Sequence, residues 1–180
     1  NANLIVVTLP ESLTTLGGEA FRGCQSLKIV KIPSKVTAIP DHCFEGCSSL
    51  ESVTIPDGVT TIGTDAFYKC KNLESVALPE SLTTLGSRSF EFCKSLKTIK
   101  IPSGVTTIPF QCFNGCSSLE SIAIPEGVTD IENEAFSVCN LNALTLPESL
   151  EKIGSWAFYY NRSLKSINIP AKVKTIEEWA

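Results

Sequence analysis

The chain has 180 residues, 43% hydrophobic and 19% charged, with a net charge of -4 from 15 basic and 19 acidic side chains. That composition excludes wholesale disorder, and the acidic balance argues against a polyanion binder, so nucleic acid is not an expected partner. No apolar run approaches the ~18 residues of a membrane span, there is no signal-peptide pattern, and a single His leaves little for His-based catalysis or metal ligation.

Prolines give the period. Pro10, Pro33, Pro56, Pro79, Pro102, Pro125, Pro147 and Pro170 are 23 residues apart, with one step of 22. Phe21, Phe44, Phe67, Phe90, Phe113, Phe136 and Phe158 keep the same beat, as do Cys24, Cys47, Cys70, Cys93, Cys116 and Cys139. The short step falls between Cys139 and Leu141, where only Asn140 remains of the usual two residues. A one-dimensional stack of near-identical coils needs such a ruler, and a closed globular core does not.

Along one coil, Leu50 to Cys70, Val53 and Ile55 alternate with Ser52 and Thr54 in the period of a short strand with one buried face. Pro56 ends that strand because it cannot donate to a ladder. Val59 and Ile62 then point inward, Gly63 permits a sharp bend, and Ala66-Phe67 fall in a turn or a single helical turn. Cys70 and Leu73 close the circuit. Coil on coil at ~4.8 Å, about eight strands would form one parallel sheet ~35 Å long.

A longer period overlies the first. Pro10–Ile32 matches Pro79–Ile101 better than its neighbour, and Ile39-Pro40 with Cys43-Phe44 recurs as Ile108-Pro109 with Cys112-Phe113. A duplicated three-coil block explains the 69-residue shift. Asn1-Ala2-Asn3-Leu4 aligns with Cys24-Gln25-Ser26-Leu27, and Ala180 stops where a Phe is due. Residues 1–180 are therefore expected to be a single domain that is a segment of a longer array, with incomplete coils at both ends.

The A-F-x-x-C and L-x-x-V-x-I-P signatures on a 23-residue beat resemble the BspA-like leucine-rich repeats, over Leu4 to Ala180. The resemblance implies a leucine-rich-repeat solenoid: a curved, right-handed stack of about eight coils with one parallel β-sheet face and little α-helix. It further implies a non-enzymatic, protein-binding role in adhesion, on an extracellular or cell-surface protein of a microbe, with a host or matrix protein as partner. It supplies no site residues, because binding positions in such repeats vary.

The cysteines could lie within disulfide range between coils. Asn161 occupies the same slot in the seventh coil and Asn1 at the start. Cys and Asn share modest size and hydrogen-bonding ability, so a buried ladder of free thiols serving loop backbone is expected. The pairs Cys43/Cys47 and Cys112/Cys116 lack partner ligands except His42, which is expected exposed beside Pro40, so no metal and no cofactor are expected. No catalytic signature is present, and an enzyme is not expected. The Asn161-Arg162-Ser163 sequon falls on the buried ladder, which argues against glycosylation there.

Surface remains. On the sheet face and its flank, Lys28, Lys31, Glu51, Glu74, Lys97, Lys100, Glu120 and Lys165 form one candidate protein-binding set. Lys28 beside Glu51 and Glu74 beside Lys97 would pair across strands even without a partner. The second set is aromatic. Phe92 and Tyr160 stand where other coils have Gly, Tyr159 precedes Tyr160, and Phe110 replaces Asp41 of the sister coil. Trp156 and Trp179 share one slot in adjacent coils, so they should lie side by side. Grouped aromatics of this kind are enriched in interface hot spots. The alternative to adhesion is self-association: a head-to-tail stack of this unit would be nearly in register and would build a filament.

Overall fold

The structure, a computed structural model, describes residues 3–180; the Asn1 slot of the ladder lies outside the described residues. The inner coils carry a strand of two or three residues where V-x-I alternates and a two-residue strand at the V-T-x-I stretch. The strands run β1 (Ile29–Lys31), β2 (Ala38–Ile39), β3 (Ser52–Thr54), β4 (Thr61–Ile62), β5 (Ser75–Ala77) and β6 (Thr84–Leu85). They continue as β7 (Thr98–Ile99), β8 (Thr107–Ile108), β9 (Ser121–Ala123), β10 (Asp130–Ile131), β11 (Ala143–Thr145), β12 (Lys152–Ile153) and β13 (Thr175–Ile176). All pairings are parallel, with Val53 beside Val30 and Val76 in consecutive coils. No helix occurs among the described residues.

Two expectations need correction. The solenoid has two strand faces, not one, because the V-T-x-I stretch also pairs, as in Ile39 beside Ile62 and Ile62 beside Leu85. The first face has six strands rather than eight. Its outer coils add a lone bridge at Val6 and no strand at Ser166–Asn168. A coil covers its apolar side only between two neighbours, and Val6, Ile167 and Ile169 stay 62%, 36% and 40% exposed. Both faces are also interrupted at one junction: among the described residues no ladder joins β6 to β8 or β7 to β9.

The core is a column of rings. Phe21 through Phe158 make six consecutive stacked pairs, with centroids 5.3–5.8 Å apart and planes within 9°. Offset stacking of this kind suits the ring quadrupole. Phe44, Phe67, Phe90, Phe113 and Phe136 are wholly buried, and the inward Leu, Val and Ile of the inner coils, such as Leu50, Val59 and Ile62, are buried with them.

The turn around each Phe has an unexpected backbone. Two left-handed residues flank it in every full coil, for example Glu19 (φ 60) and Gly23 (φ 68), then Asp65 (φ 55) and Lys69 (φ 60). Alternation of hand sends every second N–H to the next coil: Asp65 to Ser87 O at 3.0 Å, Phe67 to Ser89 O at 2.8 Å, Lys69 to Glu91 O at 2.8 Å. The intervening N–H groups close turns within the coil, as Tyr68 to Asp65 O at 3.0 Å. The N–H groups of Asp65 through Cys70 are all used in this way, as a buried loop requires. The bend glycines answer a different need. A side chain at Gly63 or Gly86 would strike the backbone of the coil before it, so close approach, not a positive φ, requires Gly there.

The cysteine slot behaves as a hydrogen-bonding ladder. Cys70, Cys93, Cys116 and Cys139 each donate Sγ–H to the carbonyl of the Phe 26 residues earlier, at 3.2 Å. Asn161 does the same with Nδ2, to Phe136 O at 2.8 Å, and adds a bond to Phe158 O. It also repairs the short coil. In other coils the Leu N–H turns back to the Cys carbonyl, as Leu119 to Cys116 at 2.9 Å. Leu141, one residue too close to Cys139, donates instead to Asn161 Oδ1 at 3.0 Å.

Candidate functional site

Two edges of the stack carry the candidate residues. At the sheet edge the charged column pairs across coils: Lys28 to Glu51 at 3.1 Å and Lys97 to Glu74 at 2.9 Å. Lys31 reaches Glu11 at 3.3 Å and Lys100 reaches Glu80 at 2.5 Å, two pairs that column arithmetic did not anticipate. These pairs are exposed and bridge adjacent coils, an arrangement that contributes little each. Glu120 and Lys165 are exposed on the same edge and join none of these bridges.

The turn edge holds a chain of charges that sequence reasoning missed. Arg22 meets Glu45 at 3.1 Å, and Glu45 Oε2 lies 2.8 Å from His42 Nδ1. His42 is 3.7 Å from Asp65, and Arg88 bridges Asp65 at 3.3 Å and Glu91 at 2.7 Å. Glu91 in turn accepts from Asn114 Nδ2 at 2.9 Å, across the junction where both strand faces are interrupted. Asp65 and Glu91 are buried, and His42 is half-buried rather than exposed. Burial holds the Asp65 carboxyl above its usual range, opposed by Arg88 and His42. The only clue in the sequence is that titratable residues recur at slots two before and one after the Phe.

Aromatics line the same edge. The Tyr68 ring lies between two cations, Lys69 Nζ at 4.7 Å and the Arg88 guanidinium at 4.6 Å from its centroid. Phe92 sits 6.0 Å from Tyr68, half-buried, with its ring over Gly115. Phe110 is 38% exposed beside Glu132, Asn133 and Lys152. Farther along, Trp156 contacts Trp179 at 6.1 Å and Tyr159 at 4.6 Å, and Tyr159 contacts Tyr160 at 5.2 Å. Trp156, Tyr160 and Trp179 are 40%, 49% and 71% exposed, and Arg162 caps Tyr160 at 4.2 Å.

The thiols are not placed for surface chemistry. All eight cysteines are buried, and none forms a disulfide. Burial pushes Cys43, Cys47, Cys112 and Cys139 up to about 12 and raises Cys70 and Cys116 well above the ordinary value. Thiolate is the reactive form, so alkylation by iodoacetamide at pH 8 is expected only after denaturation. Stability should follow the same shift. The unfolded chain gives up thiol protons first as pH rises, so this contribution is complete below about 9 and declines between about 9 and about 12. A urea midpoint that held steady from pH 8 to pH 10.5, or rapid native alkylation, would refute this. Among the described residues no group of three His, Cys, Asp or Glu is placed to hold a metal ion. No helix of the described residues is long and apolar enough to cross a membrane.

Comparison with known proteins agrees with this architecture. The model of the BspA type leucine-rich repeat region matches residues 1–120 and 86–180, in six copies. A solved leucine-rich repeat protein of T. pallidum is 36% identical, with a TM-score of 0.77 over 83% of this chain and 72% of that one. One from Eubacterium ventriosum is 30% identical, with a TM-score of 0.78 over 89% of this chain and 43% of that one. A leucine-rich cell surface protein of Faecalibacterium prausnitzii is 27% identical, with a TM-score of 0.52 over 82% of this chain and 61% of that one. The chain thus spans less than half of the Eubacterium protein. No curated protein matches the sequence.

Proposed function

The chain belongs to the BspA-type leucine-rich repeat family, and from that premise we propose that it is a non-enzymatic protein-binding module serving adhesion at a microbial surface. The observation that carries the reading is the cluster Trp156, Tyr159, Tyr160 and Trp179 on the turn edge, four rings in a contacting row, three of them at least 40% exposed. Trp and Tyr are the side chains that most often dominate binding energy, and grouped apolar exposure marks contact surfaces. The partner is a protein, of host or extracellular-matrix origin, and the surface location follows the Faecalibacterium relative.

The test is binding of the purified chain to a panel of immobilised matrix proteins, with Trp156→Gln/Trp179→Gln alongside. Gln111 already holds the Trp156 slot with a positive φ, so the exchange is compatible with the backbone. Loss of two aromatic anchors is expected to weaken binding by more than about ten-fold. Equal binding by parent and variant would remove the cluster from the interface. Concentration-dependent growth of the chain alone in sedimentation velocity would instead support a unit that stacks end to end.

A further inference from the structure

Among the described residues, Lys28, Lys31, Lys97, Lys100, Lys152 and Lys174 each bridge a glutamate. Lys69, Lys71 and Lys94 are exposed and bridge none, yet they converge. Lys69 and Lys71 line two adjoining surface hollows. One, of 280 Å³, is completed by Gln25, Gly46 and Ser48, and the other, of 260 Å³, by Phe92 and Lys94. Three lysines with no ion-pair partner therefore line the hollows beside Phe92, on a chain whose net charge is -4.

The side chains at these slots differ from those of the flanking coils. Lys69 (φ 60) and Phe92 (φ 58) occupy the left-handed slot that Gly23, Gly46 and Gly115 fill elsewhere. Val138 and Tyr160 fill the same slot farther along, so what sets these two coils apart is a lysine beside an aromatic ring. Lys71 and Lys94 stand where Ser48 and Ser117 stand in the flanking coils. The Phe92 ring lies where a side chain at Gly115 would have to go, so the next coil leaves room for it. Tyr68, clamped by Lys69 and Arg88, walls the other side.

We propose that Lys69, Lys71 and Lys94, grouped around Phe92, form a subsite for an acidic protein segment that carries an apolar or aromatic side chain. The inference rests on the reading of the chain as a protein-binding module and adds a site and a partner chemistry to it. The carboxylates of the segment meet the amines, and its apolar side chain meets the Phe92 face. Acidic motifs are commonly taken by such basic clusters. The extent of the patch favours a peptide over a sulfated polysaccharide. The cationic levels are two adjacent coils, about 5 Å apart, and the flanking coils present neutral Gln25, Ser48 and Ser117. A long polyanion needs a longer track.

The probe is a fluorescent eleven-residue peptide of glutamates with a central tryptophan, read by anisotropy, beside its all-lysine counterpart. The chain is expected to bind the acidic peptide alone, and raising salt from about 50 to about 300 mM should weaken it at least about five-fold. Lys69→Gly/Lys71→Ser/Lys94→Ser restores residues that flanking coils already carry, so the fold should survive, as an unchanged urea midpoint would verify. That variant should bind at least about ten-fold more weakly, because it removes the charges that steer and hold the segment. Lys35→Ser/Lys165→Ser/Lys172→Ser, the same charge change elsewhere, should bind like the parent. Equal loss in both variants, no titration by the parent, or titration by dextran sulfate without the peptide would overturn the proposal. Trp156→Gln/Trp179→Gln leaves this patch intact, so its peptide titration persists even where the aromatic-cluster reading fails.

Discussion

Replacing Phe67 with alanine is expected to destabilise the solenoid by about 3–5 kcal/mol, the range for emptying a buried ring. Phe67 has no exposed surface and stacks on Phe44 at 5.4 Å and on Phe90 at 5.3 Å. Its neighbours are held by inter-coil backbone bonds on both sides, so the coils cannot collapse into the cavity. At a urea slope of about 2 kcal/mol/M the midpoint falls by about 2 M. Position matters in a stack whose stability is a sum of repeat and interface terms. Phe67 sits mid-column and loses two ring contacts, whereas Phe21→Ala loses one, from a half-buried ring. The smaller loss is expected for Phe21. A Phe67→Ala chain that unfolded at the parent's midpoint would remove the ring column from the account of stability.

Asn161→Leu is expected to cost about 2–6 kcal/mol, since it strands the Leu141 N–H and the Phe136 carbonyl in the core at about 1–3 kcal/mol each. Both groups are bonded by the Asn161 carboxamide, at 3.0 and 2.8 Å. The cause is one missing residue, so the effect should be conditional. Inserting a serine between Asn140 and Leu141 restores the ordinary turn. In that background Asn161→Cys should be tolerated, because Leu141 can bond the Cys139 carbonyl as Leu119 bonds Cys116. Equal costs of Asn161→Cys with and without the insertion would show that the carboxamide is not compensating for the short coil.

Much of the fold could be read from residue spacing because each coil repeats the same burial problem. The Phe and Cys columns follow directly from a 23-residue period, and the exchange of Cys for Asn161 marks the slot as a hydrogen-bond donor. The second strand face was hidden by its length: two residues such as Thr61-Ile62 show no alternation to detect. The left-handed column was hidden because its usual marker is glycine. Here inter-coil bonds such as Lys69 N–H to Glu91 O at 2.8 Å hold that backbone for Glu, Lys, Phe and Trp alike. Gly63 was assigned to a bend when its actual constraint is the backbone packed against it.

The surface was less legible, because the proposed subsite depends on which charges remain unpaired. Cross-coil pairing of Lys28 with Glu51 and Lys97 with Glu74 follows from a 23-residue offset. Pairs such as Lys31 with Glu11 span 20 residues and lie outside that rule. Lys69, Lys71 and Lys94 look like ordinary solvated lysines until their partners are counted in space. The Asp65–Arg88–Glu91 chain was missed for a related reason: its members are charged, and only contact with the coils on both sides buries the two carboxylates.

The central claim is that the turn edge, not the sheet edge, engages a protein partner. It is tested most directly by one binding series on whichever matrix protein the parent captures. Lys28→Ser/Lys97→Ser/Lys165→Ser alters the sheet edge, and Trp156→Gln/Trp179→Gln combined with Lys69→Gly/Lys71→Ser/Lys94→Ser alters the turn edge. The account predicts parental affinity for the first and a loss of more than about ten-fold for the second. Loss in the sheet-edge variant with parental affinity in the turn-edge variant would contradict it.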